Sequence, residues 1–124
     1  KIKNRYLHYF IFNYKNYVYI QKRTEKDIWQ NLYEFYLIET DKAEPADAML
    51  KHKALKKLVS NFKVKSITPV KKHILSHQHL YATFYELDLK AELKNKFLLK
   101  IKRSDLNNFG LPQLINKYLN KSVS

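Results

Sequence analysis

The 124-residue chain has no cysteine, one glycine and three prolines, and its 11 acidic residues are outnumbered by 24 lysines and arginines. Each shortage removes a class of function. Without cysteine the chain holds no disulfide, no cysteine-ligated zinc and no iron–sulfur cluster, which fits a reducing compartment. A single glycine all but excludes phosphate-cradling loops and leaves few positions for left-handed turns. No stretch approaches the ~18 uninterrupted apolar residues that span a bilayer. The opening "KIKNRYLHYFIFNY" is too broken by polar groups for a secretory signal. A soluble, cytoplasmic protein without membrane contact is expected. The chain starts at Lys1 rather than methionine, so a piece of a longer polypeptide is expected as well.

What is present is apolar and basic. Hydrophobic residues make up 45% and aromatics 15% of the chain, enough apolar surface to offset the entropy of ordering. The length suits one domain, residues 1–124. Ten tyrosines and seven phenylalanines favour strands. The formal net charge of +13 points to a polyanionic partner, nucleic acid above all. A lysine-rich protein of AT-biased composition would carry the same charge.

Along the chain, Arg5–Phe12 and Tyr17–Lys22 are aromatic and β-branched runs on either side of "NYKN", a hairpin whose strands are apolar on both faces. A charged loop leads to a strand over Leu32–Ile38. "EPADAMLKHKALKKLV" predicts one helix from Pro45, with an apolar stripe of Ala46, Leu50, Ala54 and Leu58 and a lysine face of Lys51, Lys53, Lys56 and Lys57. "FKVKSITPVKKHIL" and "HLYATFYELDL" predict two extended segments joined at "SHQ" as a second hairpin. In "KFLLKIKR" alternation puts Phe97, Leu99 and Ile101 inward and Leu98, Lys100 and Lys102 outward. Leu111, Leu114, Ile115, Tyr118 and Leu119 then fall at helical spacing, a closing amphipathic helix. No internal repeat or linker interrupts this order.

The densest chemistry is "HILSHQHLY", His73–Tyr81, with three of the five histidines and a serine. As a metal site, His73, His77 and His79 lack a dependable further ligand, for no carboxylate lies in the loop. As a nucleophilic pair, Ser76 and His77 point to opposite faces of an extended segment, without a nucleophile elbow. A recognition loop is a third possibility: Lys71 and Lys72 precede it, and hydroxyl, imidazole, amide and backbone N–H groups would crowd its tip. An ordinary solvated turn is the fourth.

Three stretches in order, "KRTEKDIWQNLYEF", "HILSHQHL" and "GLPQLINKYL", resemble the C-terminal domain of the A/G-specific adenine DNA glycosylases (MutY). In those proteins an "R…GLWEFP"-like segment, an "H-x-F-S-H" loop and a terminal "LP" helix follow one another. The resemblance covers about Arg5 to Leu119. It implies an α+β domain, a Nudix-like mixed β-sheet flanked by helices, that has lost hydrolysis and helps detect 8-oxoguanine opposite adenine. His73 matches the first histidine of the family loop, Leu75 its aromatic, Ser76 its serine and His77 its last histidine. Leu75 replaces the usual phenylalanine, Tyr36 the proline after "WEF" and Asn31 a glycine.

The serine suits that task chemically. Oxidation turns N7 of guanine from acceptor to donor and adds a carbonyl acceptor at C8. A hydroxyl both donates and accepts, so Ser76 with neighbouring backbone N–H groups can answer both changes. The site expected from the resemblance and the local chemistry is therefore Ser76, His77, Leu75, His73 and Gln78, with Lys71 and Lys72 on phosphate. Hydrolases of the Nudix fold hold magnesium on the glutamates of G-x5-E-x7-R-E-x-x-E-E-x-G, and here lysines occupy the corresponding helix. No helix-hairpin-helix "LPGVG" turn or catalytic acid context is present either. The expectation is a chain with no catalytic residue, metal or cofactor of its own. Its partners would be duplex DNA containing 8-oxoguanine:adenine and an N-terminal glycosylase domain of the same polypeptide, the seat of a 4Fe-4S cluster, in a bacterial cytoplasm. A degenerate Nudix-type nucleoside diphosphate hydrolase and a basic protein-interaction domain are the alternatives.

Overall fold

Strand β1, Lys3–Tyr14, sets the architecture through strict alternation. Leu7, Tyr9 and Ile11 project to one side and Phe10 and Phe12 to the other, all five at most 2% exposed. A strand that is apolar on both faces has to be covered on both, so it belongs in the middle of a sheet with a layer over each side. The computed structural model, which describes residues 1–121, places it there.

On one flank β1 runs parallel to β7, Gln78–Leu89, in register from Lys3 opposite Gln78 to Asn13 opposite Asp88. On the other, its first half pairs antiparallel with β4, Tyr36–Thr40, and its end turns at Lys15 into β2, Tyr17–Lys22. Lys15 takes φ 54°, the left-handed value that a two-residue hairpin needs. Beyond β1, β2 pairs with β3, Tyr33–Glu34, and with β8, Leu99–Lys102. Strands β5, Phe62–Ile67, and β6, Lys71–Ile74, pair antiparallel with successive lengths of β7 and form the far edge.

Two cores follow from the two faces. Helix α3, Gln113–Lys121, adds Leu114 and Ile115 to Leu7, Ile11, Leu80 and Phe84. On the opposite face, α1, Ala46–Leu50, and α2, Lys53–Leu58, with Val59 just beyond, bring Met49, Leu55 and Val59 to Phe10, Phe12, Tyr85 and Leu87. The α+β class, the mixed sheet with helices on its faces, both hairpins and the closing helix all stand as expected.

Four local expectations fail. The helix predicted from Pro45 is two short ones, because Lys51 and His52 close back on Ala48 and Met49, and His52 turns extended and caps α2 by accepting from Ala54 N through its Nδ1. Its most buried members are Met49, Leu55 and Val59, while the stripe of Ala46, Leu50, Ala54 and Leu58 is half-buried. The strand expected over Leu32–Ile38 is split at Phe35 into β3 and β4, which pair with different neighbours. The extended segment before "SHQ" is likewise two strands, broken where Thr68 bonds Phe84 through both N–H and hydroxyl and Pro69 follows. In "KFLLKIKR", Asn95 accepts from Phe97 N and Leu98 N in a turn, which delays β8. Phe97 and Leu99 are exposed, Leu98 packs against the second core, and Ile101 alone of the inward set is buried. Among the described residues no helix is long and apolar enough to cross a membrane.

Candidate functional site

The histidine-rich stretch forms a tight hairpin tip between β6 and β7. Ile74 pairs with His79, Leu75 N donates to Gln78 O at 2.8 Å, and Lys3 N donates to His77 O at 3.1 Å, tying the tip to the start of β1. Ser76 and His77 are exposed, whereas Leu75 is half-buried and packs against the first core. Gln78 is half-buried with a purpose visible in the geometry: its Oε1 accepts from Arg5 Nη1 at 3.0 Å.

Arg5 is the hub of this end of the molecule. At 7% exposure its guanidinium donates to both oxygens of Glu39, each at 2.7 Å, to both oxygens of Asp27, at 3.1 and 2.8 Å, and to Gln78. Bidentate pairing of this kind fixes orientation as well as charge. The Arg5 hydrogen bond, opposed by burial, holds the Asp27 carboxyl below the usual carboxylate range. The loop bearing Asp27, residues 23–32, is thereby fastened to the hairpin tip. Arg23 adds a second clamp, to Asp27 at 3.2 Å and to Glu34 at 2.7 Å. Burial pushes the Glu34 carboxyl up, against the pull of Arg23.

That loop carries two backbone outliers, Trp29 at φ 61° and Asn31 at φ 72°. Asparagine tolerates this region, but a bulky aromatic is strained there. Held in this way, Ile28 and Trp29 face Leu75, Ser76, His77 and Gln78 across a cleft of about 460 Å³. The other expected residues lie alongside it. Lys71, Lys72 and His73 stand on β6 and line a smaller cleft of about 170 Å³ floored by Phe84, Leu114 and Tyr118 and rimmed by Lys117. His73 links the two: its ring lies 6.1 Å from that of Trp29. Burial, with Lys117 nearby, lowers its pKa and favours the neutral imidazole. Lys72 Nζ sits 5.6 Å over the Tyr81 ring.

The expected residues are thus brought to one end of the sheet, most of them in two adjoining clefts, while the Lys72 side chain turns to the opposite face over Tyr81. Trp29, Ile28, Arg5 and Lys117 were not expected there. The apolar pair "IW" inside a charged loop was the visible signal for the first two. Nothing local marks Arg5, whose partners lie 22, 34 and 73 positions away.

A larger cleft of about 810 Å³ opens beside this site, lined by Arg5, Gln21, Arg23, Asp27, Glu34 and Glu39 among others. A divalent metal there would need carboxylates free of cations. Of the four acids that line the cleft, Asp27, Glu34 and Glu39 are each held by an arginine and Glu25 stands by itself among the described residues, and Asp47 is the sole acid on α1 and α2. These residues do not fit the glutamate cluster with which Nudix hydrolases hold magnesium. Among the described residues no group of three or more His, Cys, Asp or Glu is placed to hold a metal ion.

Solved structures share this fold. The C-terminal domain of mouse MUTYH, solved in complex with human PCNA, superposes with a TM-score of 0.69 over 97% of this chain and 90% of that one, at 15% identity. A MutT structure from work on Aliivibrio salmonicida and Vibrio cholerae gives 0.59 at 13% identity over 96% of each chain. The ORF135 protein of E. coli gives 0.61 at 12% identity over 90% of this chain and 83% of that one. Identities this low show the fold alone. Among curated protein sequences none matches. The family model described as the NUDIX domain, however, matches residues 8–121, from the middle of β1 to the end of α3, and by that match this chain belongs to the NUDIX domain family.

Proposed function

We propose that this chain is a DNA-repair recognition domain which helps an adenine glycosylase detect 8-oxoguanine opposite adenine and carries out no catalysis itself. The observation that supports it best is the hairpin tip. Ser76 and His77 are exposed on a turn fixed by Arg5 and Lys3, beside an open cleft, on a chain of net charge +13. The likeness to the MUTYH C-terminal domain adds a repair context. Ser76 Oγ answers N7–H and the C8 carbonyl of the lesion, and Lys71 and Lys72, which precede the tip on β6, supply charge for the phosphodiester backbone. The excision chemistry, and the 4Fe-4S cluster, belong to a glycosylase domain preceding this one.

The test is a pair of substitutions measured on 8-oxoguanine:A and G:A duplexes. Ser76→Ala lowers the ratio of the two affinities by up to about tenfold, a lost hydrogen bond being worth roughly 0.5–1.5 kcal/mol. Lys72→Gln weakens both duplexes about equally, since a phosphate contact carries no base information. An unchanged ratio in a folded Ser76→Ala protein refutes the reading. The 810 Å³ cleft and the family favour a second one, hydrolysis of a nucleoside diphosphate. The arginine-held carboxylates weigh against it.

A further inference from the structure

Hydrogen bonding at Ser76 can discriminate the edge of a base only if the ring is held in a defined plane. Leu75 lines the same cleft but is aliphatic and offers no flat π face. Across the cleft, Trp29 does. It is the single tryptophan of the chain, half-buried, with part of its surface against the core and part lining the 460 Å³ cleft opposite the tip. Small-ligand sites span roughly 300–1,000 Å³, so a planar base fits.

The loop that presents Trp29 is stiff. Arg23 N donates to Leu32 O at 2.8 Å, Asn31 N to Arg23 O at 2.6 Å and Leu32 N to Trp29 O at 3.1 Å, while Asp27 is locked to Arg5. This network holds a bulky residue at φ 61°, a conformation that persists only when its surroundings over-determine it. The same Arg5 guanidinium holds Gln78. Indole and hairpin tip are therefore positioned relative to each other through one side chain.

We propose that Trp29 is a base-stacking residue, and that its indole with the Ser76 tip forms a subsite for an oxidised guanine base. This rests on the DNA-recognition reading. A nucleobase is the occupant that the surroundings favour: one wall is aromatic, the other carries a hydroxyl, an imidazole and an amide, and Lys71 and Lys72 on the same hairpin complement a phosphodiester strand. An apolar peptide would leave that polar wall unanswered.

Because Trp29 is the single tryptophan, its emission reports on this cleft alone. The chain is titrated with end-labelled 8-oxoguanine:A and G:A duplexes, following label anisotropy for binding and tryptophan emission for stacking. Expected are quenching by the lesion duplex that exceeds quenching by G:A, and lesion affinity largely kept by Trp29→Phe. Trp29→Leu, which retains apolar bulk but no π face, should lose lesion affinity roughly five- to hundredfold and G:A affinity little. Lesion-selective binding that leaves Trp29 emission unchanged, or a Trp29→Leu protein that keeps full selectivity, overturns the stacking role while DNA recognition stands. Equal binding of both duplexes by the wild type overturns the recognition reading itself. Should Trp29→Leu fail to fold, wild-type quenching and the phenylalanine variant decide.

Discussion

Replacing Arg5 by methionine removes the hub but keeps the length and apolar stem of the side chain. Five hydrogen bonds disappear, four of them to carboxylate oxygens. Charged hydrogen bonds contribute about 1.5–3 kcal/mol each, but the terms do not add. Asp27 and Glu39 are 30% and 35% exposed and can recover water, and Asp27 keeps Arg23 and the Ile28 N–H. Breaking a fully buried pair costs about 3–5 kcal/mol, so about 2–4 kcal/mol is the expected loss here. For a domain of this size that lowers the melting temperature by roughly 8–15 °C, within what a stability of about 5–15 kcal/mol survives. Thermal unfolding followed by circular dichroism at pH 7 measures it. A second arm uses pH. The Asp27 carboxyl is held low in the folded state, chiefly by Arg5, so its contribution is complete above about pH 4, the ordinary carboxylate value, and fades as pH falls through the depressed one. Wild type and Arg5→Met should therefore differ most at pH 7 and converge below about pH 4. Arg5→Lys keeps the charge without the fork and should fall between. A melting temperature within about 2 °C of wild type at pH 7, or a gap that is the same at pH 3 and pH 7, refutes the hub.

Tyr9 presents a different case, since its hydroxyl is fully buried without a hydrogen-bond partner among the described residues; Tyr9→Phe should raise stability by about 1–2 kcal/mol in urea unfolding, and a loss would mean that the hydroxyl has a partner after all. With magnesium and oxidised dGTP the chain should release no phosphate or pyrophosphate above the protein-free rate, and measurable release would promote the hydrolase reading. Binding of undamaged duplex DNA should be micromolar or weaker at physiological salt and fall about tenfold or more from 50 to 200 mM salt; affinity that is flat across that range counts against phosphate contacts. Lys72→Gln should reduce the salt slope by about one.

Elements with a strong internal period could be read from the chain. The two-sided apolar pattern of β1 and β2, the spacing of Leu111, Leu114, Ile115, Tyr118 and Leu119, and the turn at Ser76 are local signals, and each element formed where its pattern lies. What escaped was decided by single hydrogen bonds. His52 capping α2, Thr68 bonding twice to Phe84 and Asn95 closing the turn before β8 each interrupt a run whose apolar pattern continues past the break. The candidate site divides the same way. Its tip is contiguous in sequence and was legible there. The facing wall was not, because Trp29 reaches it through an unusual backbone angle and through Arg5, a residue of β1 whose partners lie on three other segments.

The parallel pairing of β1 with β7 also governs when this domain can form. Lys3 sits opposite Gln78, 75 positions later (78 − 3), and the whole central pair keeps that separation. Closing so long a loop costs entropy that no local contact offsets beforehand, a topology associated with slow folding. During synthesis at about 5–20 residues per second, a chain that has just made β1 waits about 4–15 s for its central partner. Throughout that interval the alternating apolar faces of β1 are uncovered, with β2 and β4 as interim neighbours on one flank only. Lysines are being added to the chain at the same time, and their mutual repulsion keeps such half-built chains apart. The basic character of this domain therefore serves its own assembly before it serves any partner.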